Sequence, residues 1–259
     1  MAAEETCLIE RQGAILEVTL NRPAAGNALT PDEHGVLNQL WNEFANDDSL
    51  RVAIITGAGE RFFCTGNDLQ YALANDDFPI PNTGLAGLTA RFDLEKPVIA
   101  AVNGAAAGGG FEVALACDLV IAAQHATFSL PEVSVGTYAG AGGLTRLPRD
   151  VGEKIAMELI LTGRKFSAER AHALGLVNHV VDSESLKSEA RAMAEEIAAN
   201  SPLACAISKR IVNQTRGMPS LSDAQEVSDR LGEELIDSND FQEGVSAFLE
   251  KRRPKWTGD

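Results

Sequence analysis

The chain has 259 residues, with 22 Lys plus Arg against 37 Asp plus Glu, a formal charge of −15, and 45% hydrophobic residues. That supply of apolar side chains supports a sizeable core and excludes wholesale disorder. The acidic balance, with no basic cluster longer than Lys251-Arg252-Arg253, excludes a nucleic-acid binder, whose affinity rests on many phosphate-neutralising side chains, and equally a partner of anionic membrane surfaces.

Met1 to Glu10 holds no basic segment followed by a long apolar one, so a cytoplasmic protein is expected. Ile15, Val18 and Leu20 lie in a β-rich run that Asn21-Arg22-Pro23 and Gly26 stop, predicting a strand and then a turn. Thr30-Pro31-Asp32-Glu33 sets a capping hydroxyl before proline and a carboxylate at the third helical position. Val36, Leu37, Leu40, Trp41 and Phe44 follow at helical spacing, so a helix is predicted to about Ala45. Val52 to Ile55 and Pro97 to Val102 are short apolar runs that read as buried strands. Tyr71 to Arg91, with Asp76, Asp77, Pro79, Pro81 and Gly84, reads as a mobile loop. After Val102 the order is glycine loop, a helix ending near Cys117, and a strand over Leu119 to Ala122. This alternation predicts an α/β architecture with short parallel strands and crossover helices. From about Val151 strand signals fade, and patterns such as Ala190, Met193, Ala194, Ile197 and Ala198 make the last third mostly helical. The weakly polar run Pro97 to Cys117 is too rich in Gly and Ala, and carries Asn103 and Glu112, unlike a membrane helix. Cys7, Cys64, Cys117 and Cys205 form no CxxC pair and read as reduced core residues.

Between Val98 and Pro148 the only charged side chains are Glu112, Asp118, Glu132 and Arg146. Isolated carboxylates in so apolar a stretch are costly to desolvate, so they are hydrogen-bonded, raised in pKa, or at a wet site. Alternatively, Glu112 and Glu132 satisfy backbone amides or pair with Arg146. Glu112 falls in the first turn of the helix opened by Gly108-Gly109-Gly110. Unpaired N–H groups at such a helix start, approachable across glycine, suit an oxyanion hole, although the same glycines also suit tight helix packing. Other readings fail: no glycine precedes a lysine, so there is no P-loop. Gly57-Ala58-Gly59 and Gly140-Ala141-Gly142 lack the third glycine of a dinucleotide loop. Ser134 lacks the first glycine of a nucleophile elbow, and His34, His125, His172 and His179 show no metal-ligand spacing.

Four blocks resemble the crotonase superfamily, also called the enoyl-CoA hydratase/isomerase family, and the resemblance covers nearly the whole chain. They are Asn21-Arg22-Pro23 with Asn27-Ala28-Leu29; Phe62 to Leu69; Lys96 to Gly104 running into Gly108 to Glu112; and Phe128 to Glu132 through Gly136, Gly140, Gly142 and Gly143. The ending Phe248 to Trp256 and the phrase Arg51 to Glu60 look similar to bacterial members, including carnitinyl-CoA dehydratases.

The resemblance implies an α/β fold in which a spiral of ββα turns fills residues 1–199. A C-terminal helical region, 200–259, would belong to the same domain and build homotrimers, with two trimers stacked as a hexamer. It implies a lyase that reversibly adds water to a trans-2-enoyl-CoA, giving a 3-hydroxyacyl-CoA. CoA would be part of the substrate, with no metal, no redox cofactor, and no nucleic-acid or membrane partner. By the same resemblance the backbone N–H groups of Asn67 and Gly109 form the oxyanion hole, and Glu112 and Glu132 are the paired carboxyls, one a base toward water and the other an acid toward Cα. The sequence does not fix which is which; the assignment taken is Glu112 as the base that orients water and Glu132 as the acid for Cα, with Gly140 lending the water a donor. CoA would lie near Arg22, Ala24, Ala25, Thr65, Asp68 and Leu69, with Lys251, Arg252 and Lys255 reaching it from a neighbouring subunit. Tyr71 to Arg91 would form part of the acyl wall. Asn67 departs from the family's usual small residue, and its Gly-Asn-Asp-Leu setting also suits enoyl-CoA isomerases. Tyr138-Ala139 replaces the common aliphatic-proline pair, and Tyr138 reads as a wall residue.

Overall fold

The computed structural model describes residues 6–259; the first five, part of the stretch read above for a leader, lie outside the described residues. Strands β1 (Cys7–Gln12) and β2 (Ile15–Leu20) form an antiparallel hairpin that ends at the expected Asn21-Arg22-Pro23 stop. Helix α1 (Pro31–Asn46) begins as its sequence demands: Pro31 occupies the first helical position, and the Glu33 carboxylate accepts the Thr30 N–H at 2.6 Å. One residue past the predicted Ala45, the helix ends.

Three turns then repeat the order strand, strand, helix. The first is β3 (Val52–Gly57), β4 (Phe62–Cys64) and α2 (Leu69–Ala74). The second is β5 (Val98–Val102), β6 (Ala105–Ala107) and α3 (Gly109–Ala116). The third is β7 (Leu119–Ala123), β8 (Thr127–Ser129) and α4 (Gly143–Val151). Helix α5 (Glu153–Thr162), β9 (Phe166–Ser167), α6 (Ala168–Ala173), β10 (His179–Val181) and α7 (Leu186–Ala198) follow. The chain closes with α8 (Pro202–Thr215), α9 (Leu221–Ile236) and α10 (Asn239–Glu250). Among the described residues, one sheet runs β1-β2-β3-β5-β7-β10, parallel except for β1, and a smaller one runs β4-β6-β8-β9. No helix among the described residues is long and apolar enough to cross a membrane.

The apolar runs of β3 and β5 are unbroken because both faces of the larger sheet are covered. Ala53, Ile55, Ala100 and Val102 face the core that α1 supplies with Leu37, Leu40, Trp41 and Phe44. Their neighbours Val52, Ile54, Ile99 and Ala101 face α7 through Leu186, Ala190 and Ala194. Under the smaller sheet, Phe111, Phe128 and Phe166 meet with ring centroids 5.3–5.8 Å apart, fixing α3 against β8 and β9. Buried Asn27, at φ 53°, accepts the Arg22 N–H and donates to the carbonyls of Ala58 and Phe62, tying the turn after β2 to the start of β4.

The structure differs from the sequence reading in three places. Two short strands, β9 and β10, occur beyond Val151, and β10 completes the larger sheet beside β7. Cys7 and Cys64 are buried, but Cys117 and Cys205 are only half-buried; all four are free thiols. Of the supposed mobile loop, Tyr71 to Arg91, the first four residues belong to helix α2 (Leu69–Ala74) and residues 85–89 are buried. Ala86 sits there at φ 52°, its carbonyl accepting the Trp41 indole N–H at 2.8 Å and its N–H donating to His34 Nδ1 at 3.0 Å.

Candidate active site

The site lies where β4, β6 and β8 end. After β4 the backbone turns at Gly66, φ 84°, and Asn67 runs alongside Leu29: the Gly66 carbonyl accepts the Leu29 N–H at 2.8 Å and the Asp68 N–H donates to the Leu29 carbonyl at 2.9 Å. In extended backbone successive N–H groups alternate in direction, so the Asn67 N–H points away from Leu29. Gly109 is the first residue of α3, where an N–H has no acceptor within the helix. Neither N–H has an acceptor among the described residues. The two segments touch: a Cβ on Gly66 would stand 2.8 Å from the Gly109 nitrogen, and one on Gly109 would stand 3.0 Å from the Gly66 Cα. Glycine is required at 66 both for its φ and for this approach.

Glu112, on the first turn of α3, is 3% exposed. Its Oε1 accepts the Gly143 N–H, at the start of α4, at 2.8 Å, and Ala141 gives a second backbone donor. Burial, foremost, pushes its pKa up to about 7; the two donors oppose the rise and the charge of Glu132 adds to it. Glu132 lies on the 3-10 turn Pro131–Val135, and burial raises its pKa also. Its Oε2 is buried without a partner, and its Oε1 lies where a Cβ on Gly108 would come within 3.0 Å. Burial disfavours the ionised form of both carboxyls, and the nearby charge of Glu132 disfavours ionisation of Glu112 further. Asn67, Gly109, Glu112 and Glu132 line one cavity of about 740 Å³, whose other walls include Leu85 and Tyr138.

The raised pKa of Glu112 has a stability consequence. A folded-state carboxyl pKa near 7 against an unfolded value near 4.5 means the fold holds a proton that the unfolded chain has released. Stability is therefore lost as pH rises from about 4.5 to 7, on the order of 2 kcal/mol for this one group. Glu112→Gln is expected to gain stability relative to the unmodified chain on going from pH 5 to pH 8, measured as the change in the Tm difference; a pH-independent difference would contradict the burial argument.

Residues 10–259 match the protein family described as "Enoyl-CoA hydratase/isomerase". The chain belongs to that family. A carnitinyl-CoA dehydratase of Salmonella arizonae is 44% identical over 259 residues, covering 98% of this chain and 99% of that one. The crystal structure of an enoyl-CoA hydratase from Mycobacterium tuberculosis H37Rv superimposes with a TM-score of 0.93 at 42% identity, covering 99% of this chain and 100% of the other. That of a carnitinyl-CoA hydratase from Mycobacterium avium gives 0.79 at 37%, again covering 99% and 100%. The crotonase-family resemblance read from the four sequence blocks is thereby shown.

In this member of the enoyl-CoA hydratase/isomerase family, Thr65, Leu69 and Gly140 line the same cavity as the two glutamates and the two donors. Gly140 departs from its expected role, because its N–H donates to the Tyr138 carbonyl at 2.8 Å; the backbone donors turned to Glu112 come instead from Ala141 and Gly143. Ala24 and Ala25 are exposed on the 3-10 turn Pro23–Ala25, outside the cavity lining but next to Gly26, whose carbonyl accepts the Thr65 hydroxyl at 3.2 Å. Arg22 and Asp68 are joined: Nη2 donates to Oδ2 at 2.9 Å, and Nη1 donates to the Ala28 carbonyl. Asp68 also caps α2, and the N–H of Tyr71, with help from Arg22 and the N–H of Gln70, outweighs burial and holds its pKa below the ordinary carboxylate value. Arg252 clamps Glu243 through Nη1 and Nη2 at 2.6 and 2.8 Å, within its own chain.

Arg146 pairs with neither glutamate among the described residues. It donates to the Thr89 carbonyl at 2.8 Å and lies 5.6 Å from the centre of the Phe92 ring. Asp118, the remaining isolated charge, accepts from the Val98 N–H and from Lys209 Nζ, tying β5 to α8. Sequence reasoning missed His34, which is fully buried and donates Nε2–H to Asn67 Oδ1 at 3.0 Å. A histidine on the otherwise apolar face of a helix was the available signal.

Proposed function

We propose that the chain hydrates trans-2-enoyl-CoA thioesters reversibly. The observation that carries this reading is a pair of desolvated carboxyls facing, in one cavity, two backbone N–H groups without acceptors. In the forward direction the Glu112 carboxylate takes a proton from water, the water oxygen bonds to Cβ, and the Cα=Cβ electrons move toward the thioester carbonyl. Negative charge gathers on the thioester oxygen, where Asn67 and Gly109 stabilise it, and Cα takes a proton from the Glu132 carboxyl. Two features support these roles. The Gly143 N–H on Glu112 favours its carboxylate form against the effect of burial, whereas the unpartnered Oε2 of Glu132 suits a neutral carboxyl free to deliver its proton. The CoA part would leave the cavity past Thr65 and Leu69. Exposed Phe248 and Leu249 on α10 supply an apolar face of the kind that a trimer would bury.

The relatives named carnitinyl-CoA dehydratase give a second reading, loss of water from a substrate with a cationic tail. Among the cavity walls, Arg146 already occupies the face of Phe92, and the carboxylates that line the cavity are the two assigned to the chemistry. This favours an uncharged acyl tail. An isomerase, which moves one proton between Cα and Cγ, leaves the second carboxyl without a task. The test is turnover of crotonyl-CoA, carnitinyl-CoA and a 3-enoyl-CoA side by side: kcat/KM highest on crotonyl-CoA is expected, and activity confined to either of the others overturns the proposal. Across pH the hydration rate should rise through an acid limb near 7 as Glu112 ionises and fall again at higher pH when Glu132 loses its proton; a flat profile from pH 5 to 9 counts against the paired mechanism.

A further inference from the structure

After Gly66 comes Asn67, half-buried, whose side-chain oxygen has a partner inside the protein. The partner is His34, 0% exposed, on the first turns of α1. The protonation pattern of the ring follows from its neighbours. The Ala86 N–H donates to Nδ1 at 3.0 Å, so Nδ1 carries no hydrogen and the hydrogen sits on Nε2, which donates to Asn67 Oδ1 at 3.0 Å. The edge of Phe78 covers the imidazole, with ring centroids 6.0 Å apart, and burial lowers the histidine pKa, keeping it neutral. One side chain therefore links the oxyanion segment to residue 86, in the wall segment that holds Leu85 against Gly109.

Resting on the hydration reading above, we propose that His34 is a positioning residue for the oxyanion site. Its Nε2–H fixes the Asn67 side chain, and with it the direction of the Asn67 backbone N–H, while Nδ1 fixes Ala86, next to Leu85 in the cavity wall. An acyl chain that displaces the wall would then turn the donor as well, so that poor fit lowers kcat and not only affinity.

Asparagine and glutamine separate the two halves of this link. Asparagine in place of His34 sets an acceptor near the Nδ1 position but does not reach Asn67; glutamine sets an N–H donor near the Nε2 position. Crotonyl-CoA kinetics are measured for the unmodified chain, His34→Asn, His34→Gln, Asn67→Ala and the double variant His34→Asn/Asn67→Ala, with Tm for each. His34→Asn and Asn67→Ala are each expected to lower kcat about tenfold, part of the loss from removing a donor outright, with KM changed less than about twofold. His34→Gln should return kcat to within about threefold of the unmodified chain, and the double variant should be no slower than either single one. Equal kcat and Tm losses in the Asn and Gln variants would mean that His34 only supports the fold, and unchanged kcat in His34→Asn, or additive losses in the double variant, would overturn the link. If the unmodified chain fails to hydrate crotonyl-CoA, the hydration reading falls and this proposal with it; an active unmodified chain with an unaffected His34→Asn removes this proposal alone.

Discussion

Glu112→Gln and Glu132→Gln are each expected to lower kcat for enoyl-CoA hydration by about 10³-fold, and the double variant by little more than either. Neither glutamine can accept a proton from water or deliver one to Cα, while the amide keeps the shape of the carboxyl. Glu112→Gln retains an oxygen for the Gly143 N–H that Glu112 accepts at 2.8 Å, so its effect should fall on kcat with KM nearly constant. Glu132→Gln leaves buried Oε2, which has no partner, replaced by an NH2 group equally without one; a small loss of stability should accompany its loss of rate. Non-additivity is the sharper expectation, because one step needs both groups at once. Steady-state kinetics on the three variants measure it. Losses under tenfold in either single variant would remove that carboxyl from the chemistry.

Gly109→Ala is expected to lower kcat/KM by about 10²-fold while the protein stays folded, since displacing one oxyanion donor forfeits much of that donor's contribution. The added Cβ would meet Leu85 Cδ1 at 2.7 Å and the Gly66 Cα at 3.0 Å. The Leu85 methyl can swing away, but the Gly66 backbone can relieve the contact only by moving, which carries Asn67 with it. Alanine is also the better helix former, so the local gain at the start of α3 offsets part of the crowding. Circular dichroism and Tm establish that the fold survives, and kinetics read the donor. A fully active Gly109→Ala variant would argue that the substrate oxygen does not sit between Asn67 and Gly109.

Much of this was legible in the chain. The Thr30–Glu33 cap, the unbroken apolar runs of β3 and β5, and the glycine-opened α3 are local patterns, and local hydrogen bonding and periodicity determine them. Glu112 and Glu132 stood out because carboxylates are costly in so apolar a stretch. What escaped depends on residues far apart in sequence. Residues 85–89 look like loop, yet Ala86 is held by Trp41 and His34, 45 and 52 positions away. At two and three residues, β9 and β10 are too short to show a period. The direction of the Gly140 N–H is set by a tight turn onto the Tyr138 carbonyl, which composition does not encode.

The left-handed backbone at Ala86 also limits how this protein can change over generations. With φ at 52°, both of its polar groups engaged and no exposure, position 86 tolerates glycine or asparagine far better than any branched side chain. The cavity therefore cannot be reshaped by enlarging that residue. Ile80, 42% exposed in a stretch outside regular structure, and Tyr138, 69% exposed, also line the cavity and carry no such constraint. Freedom to vary and constraint thus fall on different stretches around the same cavity.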